Sequence, residues 1–164
     1  MTRTILIGII ELVVAVAPAW AGDDKAEIDF VTRASIGNLS ALAESRLALD
    51  RAGNPQVKAF ARRLIEDHGK AETALEAAAD GSGATVPTTL DQDHQARILT
   101  LQDKSGADFD KAYVADQALV HSNALTLYAD YMLLGDNAKL KALAIKMIPI
   151  AEAQFKGAQA LSGN

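Results

Sequence analysis

The stretch NPQVKAFARRLIEDHGKAETALEAAA, Asn54–Ala79, decides how the rest of the chain is read. It opens with Asn-Pro, a helix N-cap followed by proline at the first helical position, where a missing N–H removes no hydrogen bond. Val57, Ala61, Leu64, Ala71, Leu75 and Ala78 follow at helical spacing and share one face of a helix. His68 stands on that face, where an aliphatic residue is expected.

Upstream, Ala26–Ala52 reads as a first helix ended by Gly53. Ile28, Val31, Leu39, Leu42 and Leu49 give it an apolar face, beside a small-residue face of Ala34, Gly37, Ala41, Ser45 and Ala48. So short a connection to Asn54 makes the two helices antiparallel neighbours. Downstream, the breaker-rich DGSGATVP (Asp80–Pro87) is a loop. Thr89–Lys104 carries a weak helical pattern (Leu90, Ile98, Leu101). Asp108–Leu134 is a third long helix, with Phe109, Tyr113, Val120, Leu127, Tyr131 and Leu134 apolar. After Gly135-Asp136-Asn137, Ala138–Leu161 is the fourth. Its seam of Leu140, Ala144, Met147, Ala151, Ala158 and Leu161 is interrupted by Gln154, and Pro149 lies within it.

A shift of 83 residues lays NPQVKAFARRLI (Asn54–Ile65) over NAKLKALAIKMI (Asn137–Ile148) without a gap. The chain therefore reads as two antiparallel helical hairpins joined by a long crossover with a short helix, an all-α, ferritin-like four-helix bundle. Hydrophobic residues at 49% suffice for one core, and aromatics at only 5% favour helix over sheet. A net charge of −5 lacks the basic footprint of a nucleic-acid-binding protein. With no cysteine there are no disulfides, thiolate metal sites or cysteine nucleophiles.

Met1–Ala21 has the form of a secretory signal peptide: Arg3, the apolar run Ile5–Ala17 containing Glu11, Pro18, and an Ala19-Trp20-Ala21 cleavage site. That run is too short to span a bilayer. The mature domain then begins at Gly22 and occupies residues 22–164, exported to the periplasm or secreted, with no membrane span after cleavage.

The crossover makes the second and third long helices parallel, so depth can be counted from their starts. His68 lies fourteen residues past Asn54 and His121 thirteen past Asp108, at the same mid-bundle level. Gln154 falls within about a turn of that level, with Glu44 on the same side and Glu72 one turn from His68. Two readings of this cluster compete: a buried hydrogen-bonded network, or a transition-metal site with His68 and His121 as ligands and Glu44, Glu72 or Gln154 assisting. A di-iron carboxylate centre requires Glu-x-x-His motifs. Ile65 and Ala118 stand where those glutamates belong, so iron oxidase chemistry is not expected. His94 reads as a surface residue, and Lys58, Arg62, Arg63 and Lys70 as a solvated face. Nucleophile elbows and phosphate loops are absent.

NPQVKAFARRLIEDH (Asn54–His68), GADFDKAYV (Gly106–Val114) ahead of His121, and LKALAIKMIP (Leu140–Pro149) resemble the exported bacterial ferritin-like proteins of the domain-of-unknown-function family 4142. The resemblance covers Ile28–Leu161 and implies a periplasmic or secreted four-helix bundle without an established activity. The family pattern has Asp-His in both central helices. Asp67-His68 fits it, whereas Val120 precedes His121. Ala41 stands where relatives often carry Glu, and Gln154 where they have a nearby His. The expectation is a non-enzymatic bundle of the cell envelope, stress-related, contacting an envelope protein or small ligand, with no cofactor. The alternative is a transition-metal-binding protein, and third comes a ferritin-like redox enzyme. Oligomeric state is not legible.

Overall fold

The computed structural model describes residues 24–163. The leader assigned to Met1–Ala21 lies outside them. Five helices follow one another: α1 (Asp24–Arg51), α2 (Pro55–Ala79), α3 (Gln92–Gln102), α4 (Gly106–Leu134) and α5 (Ala138–Ser162). The four long ones form the bundle, with α1 against α2 and α4, and α5 against α4 and α2. The short α3 belongs to the crossover and packs on α1 and α4. This is the ferritin-like connectivity expected of two hairpins joined by a long link. None of the helices among the described residues is long and apolar enough to cross a membrane.

The local signals act as their chemistry requires. Asn54 caps α2 by accepting from the Gln56 N–H at 2.8 Å, and its counterpart Asn137 caps α5 by accepting from Lys139 N and Leu140 N. The two positions matched by the internal repeat thus perform the same task in the two hairpins. Gly81 and Gly83 both take positive φ in the loop after α2, a conformation that costs glycine little.

Two apolar clusters fill the bundle. One contains Phe30, Leu75, Tyr131, Leu140 and Met147, with the Phe30 and Tyr131 rings stacked at 4.0 Å. The other contains Val57, Phe60, Leu64, Phe109 and Tyr113. Between them lies a slab of buried polar side chains: Asn38, Ser40, Glu44, His68, Gln117, His121 and Gln154. Much of this slab comes from α1, and here the sequence expectation needs correction. Ile28, assigned to the apolar face of that helix, is 47% exposed, while the buried face carries Ser35, Asn38, Ser40, Glu44 and Ser45 among alanines. Most of the small-residue face is inward, together with Val31 and Leu42 of the expected apolar face. Leu134, counted among the apolar positions of α4, is likewise exposed at the helix end.

Asp110 on α4 fastens the α1–α2 turn. Its carboxylate accepts from Gly53 N at 3.1 Å and Asn54 N at 2.8 Å. Ala52 bridges to Gly106 beside it, and a Cβ on Gly53 would lie 3.1 Å from the Gly106 Cα. The turn and the start of α4 are therefore in backbone contact, and Asp110 satisfies N–H groups that the helix ends leave open. Asp110→Ala is expected to lower unfolding stability by about 1–3 kcal/mol, the usual cost of removing a charged acceptor from such donors. Chemical denaturation of the variant beside the parent measures it.

Candidate functional site

The slab is organised around His68 on α2 and His121 on α4. Their Nε2 atoms are 3.3 Å apart, with the ring planes tilted by 56°. Equal depth, counted from the helix starts, is what brings them together.

Hydrogen bonding decides where each ring keeps its proton. Asn38 Nδ2 donates to Glu72 Oε2 at 2.9 Å. A carboxylate only accepts, so the Asn38 NH2 must face Glu72 and its carbonyl must face His68. Ser35 Oγ steadies the other oxygen of Glu72 at 2.7 Å, and lies 2.9 Å from the Pro87 carbonyl. His68 Nδ1, 3.0 Å from Asn38 Oδ1, therefore carries N–H. His121 Nδ1 lies 2.6 Å from the Gln117 backbone oxygen, which also only accepts, so it too carries N–H. A neutral imidazole has one N–H. Both Nε2 atoms are thus bare acceptors, and their lone pairs confront each other across 3.3 Å.

A proton is a poor occupant of this gap. Burial, and then the neighbouring His121, push the His68 pKa down from 6.5 to about 3. Burial lowers that of His121 as well, against the hydrogen bonds to Gln117 and Gln154 that favour its charged form. Gln154 of α5 donates Nε2 to Asp67 Oδ2 at 3.4 Å, so its amide oxygen can accept from His121 only when that ring carries a second proton.

Of the candidate ligands read from the sequence, the structure brings together His68, His121 and Gln154. Glu72 and Glu44 need correction. Glu72, one turn along α2, reaches the pair only through Asn38 and acts as an orienting acceptor. Glu44 is 0% exposed and faces the other way: it accepts from Ser40 at 2.8 Å and from Gln117 Nε2 at 2.6 Å. Its carboxyl is hydrogen-bonded to that of Asp116, and the buried Asp116 Oδ2 has no other donor among the described residues. Arg97 of α3 contacts Asp116 Oδ1 at 2.6 Å and lies 4.0 Å from Glu44. Among the described residues no group of three His, Cys, Asp or Glu side chains is placed to hold a metal ion. Any ion at the pair would meet the two imidazoles, with the Gln154 side chain beside His121.

His94, read as a surface residue, keeps part of its side chain exposed and also faces inward. It is half-buried on α3 and lines, with His68, His121, Asn38 and Arg97, a cavity of about 410 Å³ under the crossover. The signal was available in the sequence: Asp91 stands three residues before His94, at the start of a helix, where it both caps the helix and meets the imidazole. What the sequence lacks is the placement of α3 over α1 and α4.

The chain matches, over residues 14–161, the family described as a domain of unknown function, DUF4142. It belongs to that family. No curated protein matches it by sequence. Among solved structures it is similar to a DUF305 fragment from Deinococcus radiodurans, with a TM-score of 0.74 and 14% identity, covering 84% of this chain and 95% of that one. It is similar as well to CopM in the Cu(II)-bound form, with a TM-score of 0.70 and 17% identity over 84% and 96% of the two chains. CopM in an Ag-bound form gives 0.66 and 18% over 82% and 93%. At these identities the likeness shows a shared helical-bundle fold.

Glu44 yields a prediction about pH. Burial, the hydrogen bond with Asp116 and the charge of Asp116 outweigh Ser40 and Arg97, and push its pKa from 4.5 up to about 8. Above the unfolded value the unfolded chain has lost this proton while the folded protein still holds it. Stability owed to Glu44 is therefore full below about pH 4.5 and declines as pH rises to about 8. Glu44→Gln, which imitates the protonated acid, should gain in melting temperature relative to the parent between pH 5 and pH 8. Thermal melts of both proteins across that range test this.

Proposed function

We propose that this protein reversibly binds one transition-metal cation between His68 Nε2 and His121 Nε2. The observation that carries the reading is the pair of lone pairs confronting each other at 3.3 Å, each held in place by an acceptor on its own Nδ1–H. Two acceptors so placed repel each other, and a cation that takes both removes the repulsion. A tetrahedral ion with bonds of about 2.0 Å keeps its ligand atoms about 3.3 Å apart, which is the separation seen here. Metal-binding histidines ordinarily donate their second nitrogen to a carbonyl or carboxylate-backed group. His121 meets the Gln117 carbonyl, and His68 meets Asn38 with Glu72 behind it.

Imidazole nitrogens with one amide oxygen suit zinc or copper and not magnesium or calcium, which take oxygen ligands. Gln154 of α5 would supply the amide oxygen, and the cavity that both imidazoles line would leave room for a further ligand. A structural metal site closes with four protein ligands, whereas one with an open position exchanges its ion or its ligand. The occurrence of Cu(II)-, Cu(I)- and Ag-bound forms of CopM on a similar fold supports the reading. In the same proposal the protein works outside the cytoplasm as a non-catalytic envelope component. The leader-like Met1–Ala21 supports that part, and finding an intact leader on the protein from the native cell would overturn it.

Metal analysis and calorimetric titration with Zn²⁺ and with Cu(I) test the site. The parent should take one ion per chain, and free ion about a hundredfold above Kd should add about 2.7 kcal/mol to its stability. His68→Leu/His121→Leu should lose the tight one-to-one binding of both ions, and with it the stabilisation that the parent gains. Binding by the double variant as tight as the parent's, or none by the parent, overturns the proposal.

A further inference from the structure

The third histidine of the chain has the same preparation as the inner two. His94 Nδ1 lies 2.7 Å from Asp91 Oδ1. The same oxygen accepts the backbone N–H of His94 at 2.8 Å. The carboxylate therefore draws the ring proton to Nδ1 and leaves Nε2 as the nitrogen with a free lone pair. Asp91 is fixed in turn, since it is the N-cap of α3. All three histidines thus commit Nδ1–H to an oxygen of their surroundings, and all three line one cavity. They differ in depth. His94 is half-buried, whereas His68 and His121 are buried. His94 is the outer member.

We propose that His94 is a metal-landing ligand at the mouth of the cavity, taking the same zinc- or copper-like cations as the inner pair and speeding their passage to it. The inference rests on the reading of His68 and His121 as the inner site. One imidazole backed by one carboxylate holds such an ion weakly, which suits a ligand that must release it. The inner pair, with two buried imidazoles, holds it longer. A landing ligand alters rates in both directions equally and leaves the equilibrium alone. Asp91 has two roles here: it starts the crossover helix, and it sets the tautomer of the residue that meets the incoming ion. Because the Asp91 cap bonds to the backbone of His94, the cap survives when the side chain is replaced.

The test compares the full chain, His94→Ala and His68→Leu/His121→Leu by stopped-flow mixing with chelator-buffered Zn²⁺, and follows the His94 ring by NMR. His94→Ala should load and release Zn²⁺ about tenfold more slowly, with an unchanged Kd and one ion per chain. The double variant should show weak Zn²⁺ binding that shifts the His94 ring resonances. Parental rates in His94→Ala overturn the landing role while the inner site stands. A changed Kd with unchanged loading rate also overturns it, since His94 then belongs to the final ligand set. Absence of any inner-site binding in the parent overturns the reading of the pair itself, and the landing role with it.

Discussion

Two imidazoles that present bare nitrogens to each other at 3.3 Å are the constraint around which the middle of this bundle is arranged. Nothing in the hydrophobic effect asks for them. An apolar pair of similar size would close the same gap with less desolvation. Asn38 and the Gln117 carbonyl each hold one of the two rings in a single tautomer. Ser35 fixes one end of a chain that runs through Glu72 and Asn38 to His68. The backbone of α4 fixes His121 through the Gln117 carbonyl. Cutting such a chain leaves a buried donor or acceptor unpaired, at a cost of about 1–3 kcal/mol each. Two apolar clusters, one at each end, carry the packing that tolerates a polar layer between them.

The first helix is the second requirement. Beyond Phe30, Val31 and Leu42, its inward face is made of serine, asparagine, glutamate and alanine, so the helices can approach closely while donors and acceptors are delivered at fixed heights. On the other side of the slab, Glu44 and Asp116 share a hydrogen bond beside Arg97, which also lines the cavity. The crossover helix thereby serves two neighbouring polar groups. Arg97 meets the acid pair, and three residues earlier on the same helix His94 stands over the histidine cavity.

Much of the fold was legible because it is written locally. Asn54-Pro55, Gly53 and Asn137 act at the positions where they stand, and the 83-residue repeat pairs two caps that do the same work. The shared depth of His68 and His121 followed from counting along parallel helices, since rise per residue is constant. What could not be counted was rotation and side-chain reach. Glu44 and Glu72 sit at suitable heights, yet each turns to nearer donors, Gln117 and Ser40 for one, Asn38 and Ser35 for the other. The inward face of α1 was misread at Ile28 because a stripe of small and polar residues carries a weaker hydrophobic signal than the leucines beside it. His94 was missed for a tertiary reason: its place depends on where a loosely patterned crossover comes to rest.

The claim on which this account depends is the tautomeric state of the two inner histidines, and long-range proton–nitrogen correlation NMR of the metal-free protein at pH 7 reads it directly. The account predicts that His68 and His121 both carry their proton on Nδ1 and that both Nε2 resonances are those of an unprotonated imidazole nitrogen. A proton on Nε2 of either ring, closing an ordinary hydrogen bond between the two, would contradict it and leave the slab as a structural network.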